Sequence, residues 1–312
     1  MSTNYFASAE KARIELTKAQ KNRIAVMYRQ LAEDINKDID KLSQRSNVSS
    51  ILKTQYLQGL SKQINAELEN IGTQQKSSIM EGMRSVSQAV VLSNRKLMAS
   101  MGFQLQGAYS YVPRDVVAEI ASGKLYEGRW SLNKAIWKNT KKTQADINRI
   151  VAEGVAQQKG SYEIAKDLEK YVNPAKAKPW DWGKVYPGTS RVVDYNAQRL
   201  ARTMVSHAYQ DSFVRTTKDN PFIEEYEWIA SGGDRMCDIC AERDGKHFSK
   251  LELPLDHPNG MCTFAIVTSY SMNDVADRLA DWVNGADDPE LDTYARSMGY
   301  PVDAVKGSVK LP

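Results

Sequence analysis

The chain has 312 residues, of which 42% are hydrophobic and 26% are charged, and it carries a net charge of +4. This length is enough for one large domain or two ordinary ones with a real core. No apolar run approaches the ~18 residues of a membrane span, so we expect none. The first residues, "MSTNYFASAEKARIEL", lack the apolar core of a secretory signal.

The charge is unevenly distributed along the chain. Up to Asn220 there are 34 Lys and Arg against 21 Asp and Glu, whereas from Pro221 onward there are 8 against 17. A basic body with an acidic end suits contact with nucleic acid or an acidic partner. Solvated helix faces explain the same numbers, because no block of five like charges appears.

The first 102 residues predict an N-terminal helical region. Apolar residues recur at spacings of three and four, which is typical of amphipathic helices. "SQRSNVSS" ends the first helix, the second is expected to end near Gly72, and the third follows. The three stripes comprise Ile24, Met27, Leu31, Ile35, Ile39 and Leu42; Leu57, Leu60, Ile64, Leu68 and Ile71; and Ile79, Met83, Val86, Val90 and Leu97.

Residues 103–220 predict a central helical region that follows a break rich in Gly, Tyr and Pro, "MGFQLQGAYSYVPRD". One helix is expected to close at Gly154 or Gly160, and the next to begin with Ser161 as its N-cap. "NPAKAKPWDWGKVYPGTS" predicts an irregular loop before a last long helix. His207 in that helix is interpreted as a satisfied packing residue.

Residues 221–312 predict a small C-terminal module with an acidic tail. "FIEEYEWIA" and "TFAIVTSY" are typical of strands, and "SMNDVADRLADWVNG" of a short helix. The Asp-Gly pair in "RDGKHF" indicates a type I′ hairpin. The expected fold class is therefore mainly α, an elongated helical body followed by a small α+β module.

All three cysteines lie in this module, together with two of the three histidines. Cys237, Cys240, His257 and Cys262 form the pattern C-x2-C-x16-H-x4-C, two close pairs of soft ligands with a hairpin-sized insert. Four such ligands suit a closed tetrahedral zinc site, which stabilises a fold and leaves no position for substrate. The sequence thus predicts a structural zinc ion in a reducing compartment.

Two other interpretations of the same cysteines remain open. They could be reduced structural thiols beside an unrelated His–Cys pair, or Cys237 and Cys240 could form a redox pair, although the βαβ context of such pairs is missing. His247 is the alternative ligand to His257, but it lies next to Phe248 in an expected strand.

The chain resembles the phage head-morphogenesis or minor head protein family, the group related to the Mu F protein. The resemblance runs along most of the chain and is most specific in the closing module. There, a Trp strand, a Cys turn, an Asp-Gly segment and a His-Pro-x-Cys-like end follow one another. The matching stretches are "YFASAEKARIELTKAQKNRIAVMYRQLAEDI", "SLNKAIWKNTKKTQADINRIVAEGVAQQKGSYEIAKDLEKYV", "RLARTMVSHAYQDSF", and "WIASGGDRMCDICAERDGKHF" with "DHPNGMC".

The chain departs from the family pattern at two positions. Gly260 stands where the family usually has cysteine, so Cys262 must serve alone beside His257, and Met261 stands where it usually has arginine. The resemblance implies a non-enzymatic minor capsid protein, bound to the portal protein inside the virion head near the portal vertex. It further implies assembly in the host cytoplasm, contact with scaffolding or major capsid protein and with double-stranded DNA, and ejection with that DNA.

Three other functions are weighed against this one. A His-Asn-His-type nuclease is suggested by "DHPNG" near C-x2-C, but only Cys262 follows. ADP-ribosyl transfer is suggested by the Glu-x-Glu at Glu225, which we interpret as the solvent face of a strand. A non-specific DNA-binding module is suggested by lysines near Trp130 and Trp137; a stacking platform would need exposed aromatic rings, and we expect these two in the core. The basic residues concerned are Lys141, Lys142, Arg149 and Lys159.

Overall fold

The structure, a computed structural model, describes residues 5–43, 50–101, 106–157, 159–175, 195–232 and 236–306. Helices make up 70% of it, and a small antiparallel sheet lies near the C-terminus, which confirms the mainly α fold class. The helices are α1 Ala7–Ser43, α2 Ser50–Ser100, α3 Val112–Ser122, α4 Leu132–Ala156, α5 Ser161–Val172, α6 Tyr195–Thr217, α7 Asp238–Arg243, α8 Met272–Val283, α9 Pro289–Ser297 and α10 Val302–Val305, with a 3-10 turn at Lys124–Tyr126. No helix within these ranges combines the length and apolar character needed to cross a bilayer.

The chain divides into two compact units, each built from segments distant in sequence. The first contains residues 1–17, 81–120 and 203–312, and the second contains residues 18–80 and 121–202. The sequence predicted three consecutive regions instead, at 1–102, 103–220 and 221–312, and this division stays a prediction. Most of the irregular loop expected at 173–190 lies outside the described residues.

The second unit is helical, and its α2 segment corrects the expected helix end at Gly72. The helix runs on through this residue to Ser100. A glycine inside a helix costs about 1 kcal/mol relative to alanine, but here it permits close packing against α4. An added Cβ would lie 3.2 Å from Thr140 Oγ1 and 3.3 Å from Ile136 Cγ2. Tertiary contact therefore outweighs the local signal.

The contact between α4 and α5 in the same unit depends on another glycine. A Cβ at Gly154 would lie 2.7 Å from Cγ1 of Ile164, so only glycine leaves room for this buried side chain. The helix ends two residues later, at Ala156. The N-cap of α5 is Gly160 and not Ser161 as predicted, and the Glu163 carboxylate accepts its N–H at 3.1 Å.

The first unit contains a three-stranded sheet in the order β2-β1-β3, with both pairs antiparallel. The strands are β1 Glu225–Ile229, β2 His247–Ser249 and β3 Thr263–Val267. In β1, Tyr226 and Trp228 are buried while Glu225 and Glu227 are only partly so. The Glu-x-Glu segment is thus the outer face of a strand, as the alternation predicts.

Aromatic side chains fill the space between this sheet and α6. The Trp228 and Phe264 rings meet edge to face with centroids 5.1 Å apart. Phe213 of α6 lies 5.1 Å from Tyr226 and 5.8 Å from Phe264, also between centroids. Such pairs add about 0.5–1.5 kcal/mol each beyond burial of area. The sheet is therefore fixed to α6 before any metal is considered.

The Asp-Gly pair does not form the type I′ hairpin that was predicted. Asp244 has φ −58° and ψ 127°, Gly245 has φ 71°, and the Lys246 N–H donates to the Arg243 carbonyl at 2.9 Å. These angles are those of a type II turn, which needs positive φ only at its third residue. The turn connects α7 to β2, because a short helix occupies the place expected for a strand.

Candidate metal centre

The first two predicted ligands lie at the start of α7. Cys237 is the N-cap of this helix and is exposed, whereas Cys240 lies in its first turn and is buried. Residues three apart on a helix project to the same side. The geometry of the helix alone therefore places the two thiols next to each other.

The other two predicted ligands lie on the loop that leads into β3. The Gly260 N–H donates to the His257 carbonyl at 2.8 Å, and Asn259 adopts a positive φ of 73°. This tight turn, expected from "HPNG", brings Cys262 back towards His257. Cys262 is 1% exposed and directly precedes the strand.

The four side chains converge on one another. His257 Nε2 lies 3.4 Å from Cys237 Sγ and 3.1 Å from Cys240 Sγ, and the sulfurs of Cys240 and Cys262 are 3.3 Å apart. A tetrahedral zinc ion with bonds of about 2.0–2.3 Å separates its ligand atoms by roughly 3.6–3.8 Å. These three separations are shorter than that, whereas Cys262 does not lie within 4.8 Å of both Cys237 and His257. The cluster could hold a metal ion if the short separations widened and Cys262 moved inward.

Asp256 belongs to this cluster, and sequence reasoning missed it. The ligand atoms form two overlapping sets that share Cys240: one adds Cys237 and His257, the other adds Asp256 and Cys262, with all atoms of a set within 4.8 Å. The Asp256 carboxylate accepts the backbone N–H of His257 at 2.9 Å and of Cys262 at 3.3 Å. Because each oxygen already accepts an amide, we interpret Asp256 as orienting the two ligands.

Gly260 is explained by this carboxylate. A Cβ at position 260 would lie 2.2 Å from both oxygens of Asp256, closer than atoms can approach. A side chain at this position is incompatible with the carboxylate in this place. Gly260 therefore accompanies the acidic side chain four residues earlier.

One face of α6 holds the ligand loop through buried polar side chains. Gln210 donates to the Pro254 carbonyl at 2.7 Å and accepts the Asp256 N–H at 2.9 Å. Thr203 Oγ1 accepts the Asn259 N–H at 2.9 Å, and Ser206 donates to the Gly260 carbonyl at 3.0 Å. These side chains recur at the three-to-four spacing of a helix face, so the loop is fixed along two turns of α6.

His207 lies on the same face of α6 and is not a ligand. Its Nε2 donates to the Asp256 carbonyl at 3.0 Å, and the side chain is 3% exposed. Burial, which disfavours the charged ring, lowers the pKa of His207 to about 4. The interpretation as a satisfied packing histidine is confirmed.

Arg13 of α1 provides a further contact to the same loop. Its Nη1 donates to the Cys262 carbonyl at 2.6 Å and its Nη2 to the Met261 carbonyl at 2.8 Å, and the residue is 1% exposed. The guanidinium lies over the Tyr209 ring at 4.7 Å. Arg13 was not among the predicted site residues. The signal that could have identified it is a charged residue on the buried face of α1. The other buried residues near Arg13 on this face are Ala9, Thr17, Gln20 and Ile24 of α1, together with Phe6 just before the helix.

The thiols differ in their electrostatics. The Cys240 N–H, at the start of α7, lowers the pKa of the Cys237 thiol, whereas burial raises the pKa of Cys240. A cation among three sulfurs and an imidazole would favour the thiolate of both. With four protein ligands no coordination position remains for substrate.

The structure places His247 away from this cluster. It lies in β2, where its Nδ1 is 3.0 Å from Glu225 Oε2, and both side chains are about half exposed. The ranking of His257 above His247 as ligand is consistent with this geometry.

Comparison of the chain with protein-family models, with curated proteins and with solved structures finds no match.

Proposed function

We propose that the protein is a structural minor head protein of a tailed phage, associated with the portal and acting in head morphogenesis. The observation that carries the structural role is the four-residue Cys/His cluster, fixed by buried hydrogen bonds to α6 and α1. Such a closed site stabilises a module and does not react with a substrate. The phage assignment is supported by the sequence resemblance along the chain.

The order of elements in the C-terminal module supports the same resemblance. A strand with buried Trp228 is followed by the Cys237–Cys240 turn, then by the Asp244–Gly245 turn, and finally by the His257–Cys262 loop. The resemblance implied a hairpin at the Asp-Gly pair, and the other features in this order. We propose, as the resemblance implies, that the protein lies in the virion head near the portal vertex and is assembled in the host cytoplasm.

Zinc is the metal that we propose for the cluster, held by Cys237, Cys240, His257 and Cys262. Three thiolates and one imidazole in a tetrahedral arrangement are typical of structural zinc. A bound ion would contribute folding free energy on the order of 10 kcal/mol in the apparent values known for small zinc modules.

Metal analysis of the purified, reduced chain tests the site. We expect one zinc per chain, and we expect Cys237→Ser to lower both the zinc content and the thermal stability. As a control, Ser249→Ala, an exposed change in the same module, should leave the zinc content unchanged. The zinc proposal would be rejected if the purified wild-type chain contained no metal and had the same thermal stability as Cys237→Ser.

Co-purification with a portal ring tests the proposed role separately. The full chain, co-expressed with the portal protein of its phage, should elute with the ring in size-exclusion chromatography. Elution as a free protein, with its zinc in place, would reject the portal association and leave the metal centre intact.

The nuclease alternative is disfavoured by the position of His257. Its Nε2 lies between the thiols of Cys237 and Cys240, and its Nδ1 lies 3.0 Å from the Pro258 carbonyl. As a metal ligand this ring has no nitrogen left to act as a base on water.

A further inference from the structure

In the second unit, the burial predicted for one tryptophan is wrong. Trp137 was expected in the core, but it is 64% exposed on α4. Trp130 is half-buried and stacks on Tyr126 with ring centroids 4.3 Å apart. Tryptophan is highly buried on average, so the exposed indole of Trp137 is a candidate contact surface.

Trp137 lies in a groove of about 220 Å³ between α2 and α4. This volume is below the ~300 Å³ of pockets for drug-sized ligands, which suits a single planar ring. Gly72 forms part of the floor, because its missing side chain allows the two helices to approach. We call this the Trp137 groove, and the lining residues that matter here are Gly72, Lys76, Asn133, Trp137, Thr140 and Lys141.

Positive charge surrounds the groove. Lys76 of α2 and Lys141 of α4 line it. Two more exposed lysines lie on α4: Lys134, three residues before Trp137, and Lys138, one residue after it. One carboxylate, Glu69, also lines the groove, 3.9 Å from Lys141 Nζ. The net charge of the groove and the residues around it is therefore positive, and an anion is the complementary partner.

Two of the basic residues considered from sequence do not belong to this surface. Lys159 does not line the groove; it lies beyond the end of α4, where its Nζ is 3.0 Å from Asp167. Lys142 is five residues beyond Trp137, which places it on a different face of α4. The aromatic ring with its neighbouring lysines is thus a narrower surface than the charge count suggested.

We infer that the Trp137 groove binds single-stranded nucleic acid, with one base stacked on the indole and the adjacent phosphates bound by Lys76, Lys134 and Lys141. Base–aromatic stacking beside a cationic track is the recurring design of such sites. An acidic protein segment fits less well, because among the lining residues Trp137 alone offers a large exposed apolar surface for an anchoring side chain, Ile136 being buried. The inference goes beyond the proposed structural role, and it depends on neither the zinc nor the portal.

Fluorescence anisotropy of a labelled oligothymidylate with the full-length, zinc-verified protein tests this inference. Trp137→Ala should weaken binding by roughly 5- to 150-fold, the range of one lost stacking contact. Trp137→Phe, which keeps a ring, should recover most of the affinity. Leu251→Ala, which removes an 89% exposed apolar side chain elsewhere, should have no effect.

The lysines are tested through the salt dependence of the same binding. Each phosphate contact contributes about −0.7 to the slope of log K against log salt for single strands. Lys76→Gln and Lys141→Gln should each make the slope shallower by about this amount, whereas Lys246→Gln in the other unit should not. Circular dichroism of every variant should match the unchanged chain.

Three results would overturn the inference. The first is the absence of oligothymidylate binding at low salt. The second is binding that Trp137→Ala leaves unchanged, which would indicate charge alone. The third is equal or tighter binding of a duplex or of polyglutamate that does not depend on Trp137.

Discussion

At the scale of single residues, the loop from Asp256 to Cys262 depends on a fit between a carboxylate and a missing side chain. Asp256 accepts the amides of two proposed ligands, His257 and Cys262, and Gly260 leaves the space that the carboxylate occupies. Neither residue coordinates metal in our account. Both determine where the ligands point, as partners of ligands generally do.

Gly260→Ala should therefore destabilise the protein by about 1–3 kcal/mol, the usual cost of forcing extra atoms into a packed site. The added methyl group would displace the Asp256 carboxylate and break the two hydrogen bonds that it accepts from the backbone N–H groups of His257 and Cys262. Urea denaturation measures the change. Gly59→Ala is the matched control, because that position has no atom within 4 Å and should gain up to about 1 kcal/mol. Equal stability of Gly260→Ala and wild type would refute the fit.

Asp256→Asn separates an orienting role from a ligand role. We expect zinc affinity to fall about 10- to 100-fold with the stoichiometry still one per chain, since the amide keeps only one acceptor. Competition with a chromogenic chelator measures this affinity. Asp281→Asn, on the exposed side of α8, is the control. Complete loss of zinc from Asp256→Asn would show that the carboxylate is itself a ligand.

At the scale of elements, α6 supports the candidate metal centre. Phe213, near the C-terminal end of α6, packs against the sheet. Ser206 and Gln210, nearer its middle, form hydrogen bonds with the backbone of the ligand loop. The buried groups on this face are polar, yet each has a partner on the loop. Polar residues at regular spacing on the buried face of a helix thus indicate that the helix forms hydrogen bonds with the backbone of a neighbouring segment.

Gln210→Ala tests this support. It would leave the Asp256 N–H and the Pro254 carbonyl without their partner, and a buried unpaired group costs about 1–3 kcal/mol. We expect a loss of at least this size in chemical denaturation. Gln74→Ala on the exposed side of α2 should change stability by less than about 0.5 kcal/mol. A similar small change for Gln210→Ala would mean that α6 does not hold the loop.

The comparison of sequence with structure shows which signals are local. The clustering of Cys237, Cys240, His257 and Cys262 and the strand around Trp228 were predictable, because spacing and alternation are local patterns. The helix end at Gly72 was wrong, since a contact with α4 decides it and no local pattern encodes that contact. The exposure of Trp137 and the roles of Arg13 and Asp256 depend on residues far away in the chain.

At the scale of the whole molecule, a zinc-bound module would make stability depend on pH and on metal. Burial raises the pKa of Cys240, so this thiol keeps its proton in the metal-free chain at neutral pH. Binding of zinc must therefore release protons, and its affinity must rise with pH and fall as protons compete at low pH.

Calorimetry of zinc binding in buffers of different ionisation enthalpy measures this release. At pH 7 we expect zinc binding to release protons, because burial raises the pKa of the Cys240 thiol that would have to lose its proton. Cys240→Ser should reduce the number released. Binding without proton release, or with affinity independent of pH, would contradict thiolate ligation.

X-ray absorption at the zinc edge of the purified full-length chain is the most direct test of the metal centre. Three sulfur neighbours at about 2.3 Å and one nitrogen at about 2.0–2.1 Å are the predicted result. A shell of light atoms alone, or a chain that retains no zinc while Cys237, Cys240 and Cys262 all react freely with a thiol reagent, would contradict it.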